Sequence, residues 1–315
     1  MACAAVACEA PLDARTATPA APVHVLVEPD AGPDAVRGLL AAARRSIAME
    51  MYLLTDGATI DVLAARARAG VDVRVVLEPH PFEADGANDD AFARLAAAGA
   101  LVAWSSPRFA LTHAKTAAVD HARLCVLTLN LTRAGLAGNR EFAVVDDDAR
   151  DVAAFEALVA ADLAGVAPPA RAAGRVLASP TTTRPALAAA LARATRAVAV
   201  EMEELSDARL VQALADARAR GADVSVALPA SGASAATLGA ARALAGADVT
   251  VRLVDAPQVH AKAVVADGWL YLGSANLTTA SLDANRELGL ALTDAAAVRL
   301  VARTIADDLA RGHPP

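Results

Sequence analysis

The chain is short of aromatic residues, thiols, surplus basic charge and long apolar runs. Aromatics make up 3% of its 315 residues, which argues against a groove where unpaired bases stack on rings. Lysine and arginine number 29 against 36 acidic residues, a formal net charge of −7. That balance opposes broad neutralisation of a phosphate backbone, although a basic cleft can sit in an acidic protein. Three cysteines cannot build a disulfide framework. Cys125 lies in an apolar stretch and reads as core filling, while Cys3 and Cys8 fall in the amino-terminal tail. No spacing of Cys, His and carboxylates resembles a metal site, so neither metal nor cofactor is expected.

Mean hydropathy is +0.37, yet no uninterrupted apolar run approaches the roughly 18 residues that a membrane span needs. The hydrophobicity comes largely from alanine spread along amphipathic helices. Residues 1–22 are rich in Ala and Pro, with no basic residue before Arg15, and so lack the basic start of a signal peptide. They read as a disordered or targeting tail. A cytoplasmic location is the default; Ala5-Val6-Ala7-Cys8 would suit an exported lipoprotein if the true start lay upstream.

What is present is a repeat. His113-Ala-Lys115-Thr-Ala-Ala-Val-Asp120 returns 147 residues later as His260-Ala-Lys262-Ala-Val-Val-Ala-Asp267. Each copy is followed by a short apolar run ending in Asn130 or Asn276, then by Asn139-Arg140-Glu141 or Asn285-Arg286-Glu287. His and Lys two apart on a strand share a face, roughly 7 Å apart along it. Asp120-His121 and Asp267-Gly268 read as turns, so a hairpin would bring each Asn back towards its His. Glu141 and Glu287 open a third strand that could lie alongside. Each half thus offers an imidazole, a fixed positive charge, an amide and a carboxylate. Imidazole attacks phosphorus or moves protons near neutral pH. Lysine and asparagine can hold non-bridging oxygens and stabilise charge developing in the transition state. Two imidazoles suit a double displacement through a covalent intermediate.

These residues resemble the signature of the phospholipase D superfamily, His-x-Lys-x4-Asp followed by Gly-Ser-x-Asn. The second copy has every group: His260, Lys262, Asp267, Gly273, Ser274 and Asn276. The first matches at His113, Lys115, Asp120 and Asn130 but has Leu127-Thr128 in place of Gly-Ser. Thr128 still offers a hydroxyl, and Leu127 is expected to narrow the pocket on its side. The resemblance implies an α/β fold of two similar lobes, each a mixed β-sheet flanked by helices, packed around one shared active site. It also implies a metal-independent phosphodiesterase working through a phosphohistidine. By the same resemblance His113 is the nucleophile and His260 the acid and base. Glu287 and Glu141 orient the histidine of the opposite half. Lys115, Lys262, Asn130, Asn276, Thr128 and Ser274 bind the phosphate. Asp120 and Asp267, on turns, and Gly273 are assigned structural roles.

The repeat extends beyond the motifs. Arg45-Ser-Ile-Ala-Met-Glu-Met51 aligns with Arg196-Ala-Val-Ala-Val-Glu-Met202 at an offset of 151. The first half reads as a helix near 33–45, a strand at 46–53, a helix over 58–69 capped by Asp56 and a strand at 71–77, then a helix near 88–98 and a strand near 100–104. In the second, helices at 183–196 and 207–220 alternate with strands at 197–203 and 222–228. A Pro/Gly/Ala stretch at 164–174 suits a linker, which divides the chain into lobes at 23–165 and 166–315. Glu50 and Glu201 recur among apolar residues and suit either support of the site or an edge strand facing water. Glu203 and Glu204 have no acidic counterparts in the first half and could bias substrate choice. His80 reads as an exposed loop residue.

The leading expectation is a phosphodiesterase that cleaves or transfers phospholipid head groups, with peripheral membrane contact, and with a monomer sufficient for the site. Within the same superfamily the alternatives are a nuclease, with nucleic acid less favoured by composition, and a synthase that captures the intermediate with a glycerol hydroxyl. From a different class comes a non-catalytic binding protein that keeps the fold.

Overall fold

Helix starts are written in acid and hydroxyl residues that recur in both halves. The computed structural model describes residues 21–167 and 174–315. The tail with Cys3 and Cys8 and the middle of the Pro/Gly/Ala stretch lie outside the described residues. The first half runs β1 (Val23–Glu28), α1 (Pro33–Ala41), β2 (Ser46–Met51), α2 (Gly57–Arg68), β3 (Asp72–Leu77), α3 (Asp89–Ala97) and β4 (Leu101–Trp104). The motif hairpin follows as β5 (Lys115–Val119) and β6 (Arg123–Leu127), then α4 (Arg133–Ala137), β7 (Asn139–Asp146) and α5 (Ala149–Leu163). The second half repeats the pattern as β8 (Val176–Ser179), α6 (Thr183–Arg193), β9 (Ala197–Met202), α7 (Ala208–Ala219), β10 (Asp223–Pro229), α8 (Ala235–Gly246) and β11 (Thr250–Val254). A short β12 (Gln258–Val259) precedes β13 (Lys262–Ala266), β14 (Trp269–Gly273), α9 (Thr279–Asp283), β15 (Glu287–Leu292) and α10 (Ala295–Arg311). Asp56 and Asp207 cap α2 and α7, Thr132 and Thr278 cap α4 and α9, and Asp148 and Asp294 cap α5 and α10. Each side chain accepts from an otherwise orphaned amide of the first turn.

The two sheets have one topology. The first is ordered β4-β3-β2-β5-β6-β7-β1 and the second β11-β10-β9-β13-β14-β15-β8. In each, the three strands joined by helices are parallel and the other ordered strands pair antiparallel, while β12 of the second half adds to β7 in parallel. Layers follow from burial. Helices α1 to α3 cover the outer face of the first sheet and α6 to α8 that of the second. The inner faces of both sheets share one core with α5 and α10. Among the described residues no helix is long and apolar enough to cross a membrane.

Three expectations need correction. The helices expected to reach residues 45 and 196 stop at Ala41 and Arg193. The following amides are taken by the motif aspartates: Asp120 accepts from the backbone of Arg44, Arg45 and Ser46, and Asp267 from Thr195, Arg196 and Ala197. The histidines do not lie on the strands that carry their lysines, because β5 and β13 begin at Lys115 and Lys262. Instead each leads into its strand while pinned to the other half: His113 N donates to Arg286 O at 2.9 Å and His260 N to Arg140 O at 3.2 Å. Finally, Glu50 and Glu201 are fully buried on strands inside their sheets, which removes the edge-strand reading.

Candidate active site

The cross-lobe pinning sets both imidazoles into one cleft of about 520 Å³, with Asn130, Asn276, Glu203 and Glu204 among its other lining residues. Lys115 and Lys262 are fully buried beside it. His113 Nδ1 lies 3.0 Å from Glu287 Oε2. Glu287, at the start of β15 in the opposite half, also accepts from Ser274 Oγ at 2.6 Å, from Ser281 and from Asn285. A carboxylate fixed at Nδ1 leaves the Nε2 lone pair for chemistry. Burial holds the His113 imidazole below its ordinary value despite the attraction of Glu287, so the neutral, nucleophilic form prevails at neutral pH. Burial pushes Glu287 upward, but His113 and Lys115 outweigh it and hold it below the ordinary carboxylate value.

The second imidazole is set differently. His260 Nδ1 lies 2.5 Å from Glu141 Oε1, yet among the described residues that oxygen has no aligned hydrogen-bond donor. The close approach therefore lies off the hydrogen-bond axis. Lys262 Nζ lies 3.0 Å from His260 Nδ1 and donates to His260 O at 2.5 Å. Lys115 Nζ donates to His113 O at 2.8 Å and sits 4.8 Å from the centroid of Tyr52. Burial, reinforced by Lys262, lowers the Lys115 ammonium to about 7.

Two expected phosphate ligands are occupied elsewhere. Thr128 Oγ1 donates to Glu141 at 2.6 Å and accepts from Phe142 N, and Ser274 Oγ does the same with Glu287 and Leu288 N. Both are buried, so these hydroxyls steer the glutamates rather than face the cleft. Leu127 does not narrow the pocket either: it is buried in the outer core of the first sheet. Gly273 gives up its side chain for packing, since a Cβ there would lie 2.5 Å from Gly289 Cα and 2.7 Å from the Tyr271 hydroxyl. His80 is exposed and pairs with Asp85 at 2.8 Å, outside the cleft.

Sequence reasoning missed Tyr52, whose ring meets His113 edge-on at 4.5 Å, and Ser281 behind Glu287. It also missed Glu78, which accepts from Thr112 N at 2.6 Å and so fixes the approach to His113. Tyr52 could have been found from the repeat, because it stands opposite Glu203 at the 151 offset.

The sequence matches the family described as "Cardiolipin synthase, PLD-like domain" over 36–163 and again over 187–309. Among solved structures, the polyphosphate kinase of Porphyromonas gingivalis superposes with a TM-score of 0.73 at 17% identity, over 90% of this chain and 46% of that one. The chain thus spans about half the length of that enzyme. The phosphatidylserine synthase of Haemophilus influenzae superposes with a TM-score of 0.69 at 13% identity, over 92% of this chain and 86% of that one. At these identities the likeness is one of fold. No curated protein matches the chain.

Proposed function

The chain belongs to the cardiolipin synthase, PLD-like domain family, and we propose that it is a metal-independent phosphodiesterase that cleaves or transfers phospholipid head groups through a phosphohistidine. The observation that carries this reading is two imidazoles facing one cleft, each with its Nδ1 against a buried glutamate of the opposite half. His113 Nε2 attacks phosphorus; an N–P bond forms as the bond to the leaving alcohol oxygen breaks, and His260, starting as the imidazolium, gives that oxygen its proton. Water or an acceptor alcohol then loses a proton to His260 as its oxygen attacks phosphorus. The N–P bond breaks and both imidazoles are regenerated. Lys115, Lys262, Asn130 and Asn276 hold the non-bridging oxygens, where charge builds in each transition state. The chain's own groups fill every role, and one chain supplies both half-sites.

A lipid substrate is favoured over nucleic acid by the cleft wall. Leu53, Leu111 and Phe82 line it, and Phe82 is 74% exposed, an apolar contact suited to an acyl-bearing alcohol at a membrane surface. The test is product analysis in excess chelator, with mixed phospholipid vesicles and labelled DNA offered together. Wild type is expected to release head groups and to yield an acid-labile, base-stable phosphoprotein. His113→Ala is expected to lose both, with turnover down on the order of 10⁴-fold. DNA cleavage with untouched lipid would move the chain to the nuclease branch. A strict metal requirement would overturn the mechanism, and a phosphoprotein that survives in His113→Ala but not in His260→Ala would reverse the two roles.

A further inference from the structure

The two halves diverge at one place in the cleft. Met51-Tyr52-Leu53 and Met202-Glu203-Glu204 are equivalent at the 151 offset, and the backbone is the same in both: Tyr52 N donates to Ala114 O and Glu203 N to Ala261 O, each at 3.0 Å. Only the side chains differ. Tyr52 packs its ring against His113 and leaves the polar end of Asn130 free; Asn130 Oδ1 meets no donor among the described residues. Glu203 instead reaches the polar groups themselves. Its carboxylate lies 2.7 Å from Lys262 Nζ, 3.3 Å from His260 Nε2 and 3.1 Å from Asn276 Nδ2.

Two of those groups, Lys262 and Asn276, hold the non-bridging oxygens in the phosphodiesterase reading, and the third, His260, meets the leaving oxygen. A carboxylate spanning a lysine, an imidazole and an amide presents what two phosphoryl oxygens would present. The Glu203 side chain is 29% exposed, so it reaches this position from the cleft side. Burial works against its charge, but Lys262 and His260 hold Glu203 well below the usual carboxylate range. A substrate phosphate must therefore displace an anion, and the displaced carboxylate stays nearby. Glu204 lines the same cleft. With Glu141 and Glu287 behind the imidazoles, four carboxylates converge on a cleft whose lysines are Lys262 and Lys115, the latter with its ammonium lowered to about 7 by burial and Lys262. A polyanion entering such a cleft meets like charge that it cannot offset, whereas a substrate carrying its own cation supplies the missing partner.

We propose that Glu203, with Glu204 beside it, forms a cation-selecting subsite next to the phosphate position, so that the chain takes zwitterionic phosphodiesters whose alcohol bears an ammonium group. Resting on the phosphodiesterase reading, this subsite names its substrate class. Glu203 holds the phosphate donors in the empty cleft, yields them to the incoming phosphate, and then pairs with the ammonium. The same carboxylate turns away nucleic acid and free inorganic phosphate.

Calorimetric titration tests this without requiring turnover. The probes are phosphocholine, glycerol 3-phosphate and inorganic phosphate, offered to wild type, Glu203→Gln and Glu203→Tyr, the last restoring the residue of the other half. Wild type is expected to bind phosphocholine at least about tenfold more tightly than glycerol 3-phosphate, a difference of roughly 1.4 kcal/mol. Both variants are expected to lose that preference and to bind inorganic phosphate about tenfold more tightly than wild type does. Glu204→Gln should reduce the preference without strengthening inorganic phosphate binding. Equal affinities in wild type, or a preference that survives Glu203→Gln, would overturn the subsite. Failure of turnover with intact binding discrimination would sink the phosphodiesterase reading and leave the subsite standing. Turnover with no discrimination would do the reverse.

Discussion

Lys115 shows what a single residue of this site costs the fold. Its ammonium is fully buried, and burial together with Lys262 lowers it to about 7, against about 10.4 for a lysine in an unfolded chain. Between those values the unfolded chain binds more protons than the folded one, so this group's contribution to stability rises with pH across that window. Below about 7 both states are protonated and the penalty is constant. Lys115→Met keeps the length of the side chain and removes the charge. The variant is expected to melt roughly 4–8 °C above wild type at pH 7 and to lose activity, with the advantage shrinking towards pH 9. Thermal unfolding of both proteins at pH 6, 7, 8 and 9 checks it; a variant no more stable than wild type at pH 7, or an advantage that grows with pH, would show that the buried charge is not the source.

At the scale of elements, the halves fill one space in two ways. In the second, Tyr271 on β14 lies under Gly273 and Gly289, and a Cβ on Gly289 would come within 2.4 Å of the Tyr271 ring. In the first, the same positions hold Cys125, Leu127 and Ala143, all buried: small where the second half is large, and large where it has glycine. Gly289→Ala alone is expected to destabilise by about 1–3 kcal/mol through overpacking, and Tyr271→Cys by about 3–5 kcal/mol through the cavity it leaves. Combined, the added methyl enters the vacated space, so the double variant should be more stable than the sum by at least about 1 kcal/mol. Denaturant unfolding of the four proteins decides, and simple additivity would refute the exchange.

This exchange also shows where the sequence stops being readable. The period-2 runs, capping aspartates and repeated motifs place most strands, several helices and the groups that line the cleft, because those signals act over a few residues. The Leu127 pocket wall fails as an expectation because Ala143, which stands opposite it, meets it across a strand pair rather than along the chain. Thr128 and Ser274 match the signature, but only the fold shows their hydroxyls turned to the glutamates. The expectations contain neither α5 nor α10, although these helices lie between the two sheets. Asp162 of α5 and Asp308 of α10 are buried, because an arginine from the opposite half meets each.

Those arginines organise the whole molecule. Arg140, next to Glu141, reaches Asp308 of α10 at 2.6 Å, and Arg286, next to Glu287, reaches Asp162 of α5 with Nε at 2.8 Å. Each pair crosses between the halves and ends one residue from the glutamate that meets the opposite histidine, so docking of the lobes and assembly of the site are one event. Behind each pair lies a further carboxyl group. Burial and the adjacent Asp162 raise Glu50 well above the usual carboxylate range, and burial and Asp308 do the same to Glu201. Among the described residues neither group meets a hydrogen-bond donor, which fits two neutral acids: Asp162 is then left to Arg286, and Asp308 to Arg140 and Arg311. Glu50→Gln and Glu201→Gln, close in shape and also uncharged, are therefore expected to change stability by less than about 1 kcal/mol and to leave turnover within a few-fold of wild type. Asp162→Asn instead strands Arg286 as a buried unpaired charge, at about 3–5 kcal/mol, and should lower kcat by displacing Glu287 from His113. Unfolding and steady-state turnover of the three variants separate these cases. If Glu50→Gln is as damaging as Asp162→Asn, Glu50 is ionised in the folded chain, and the clusters hold the lobes together by a different balance of charge.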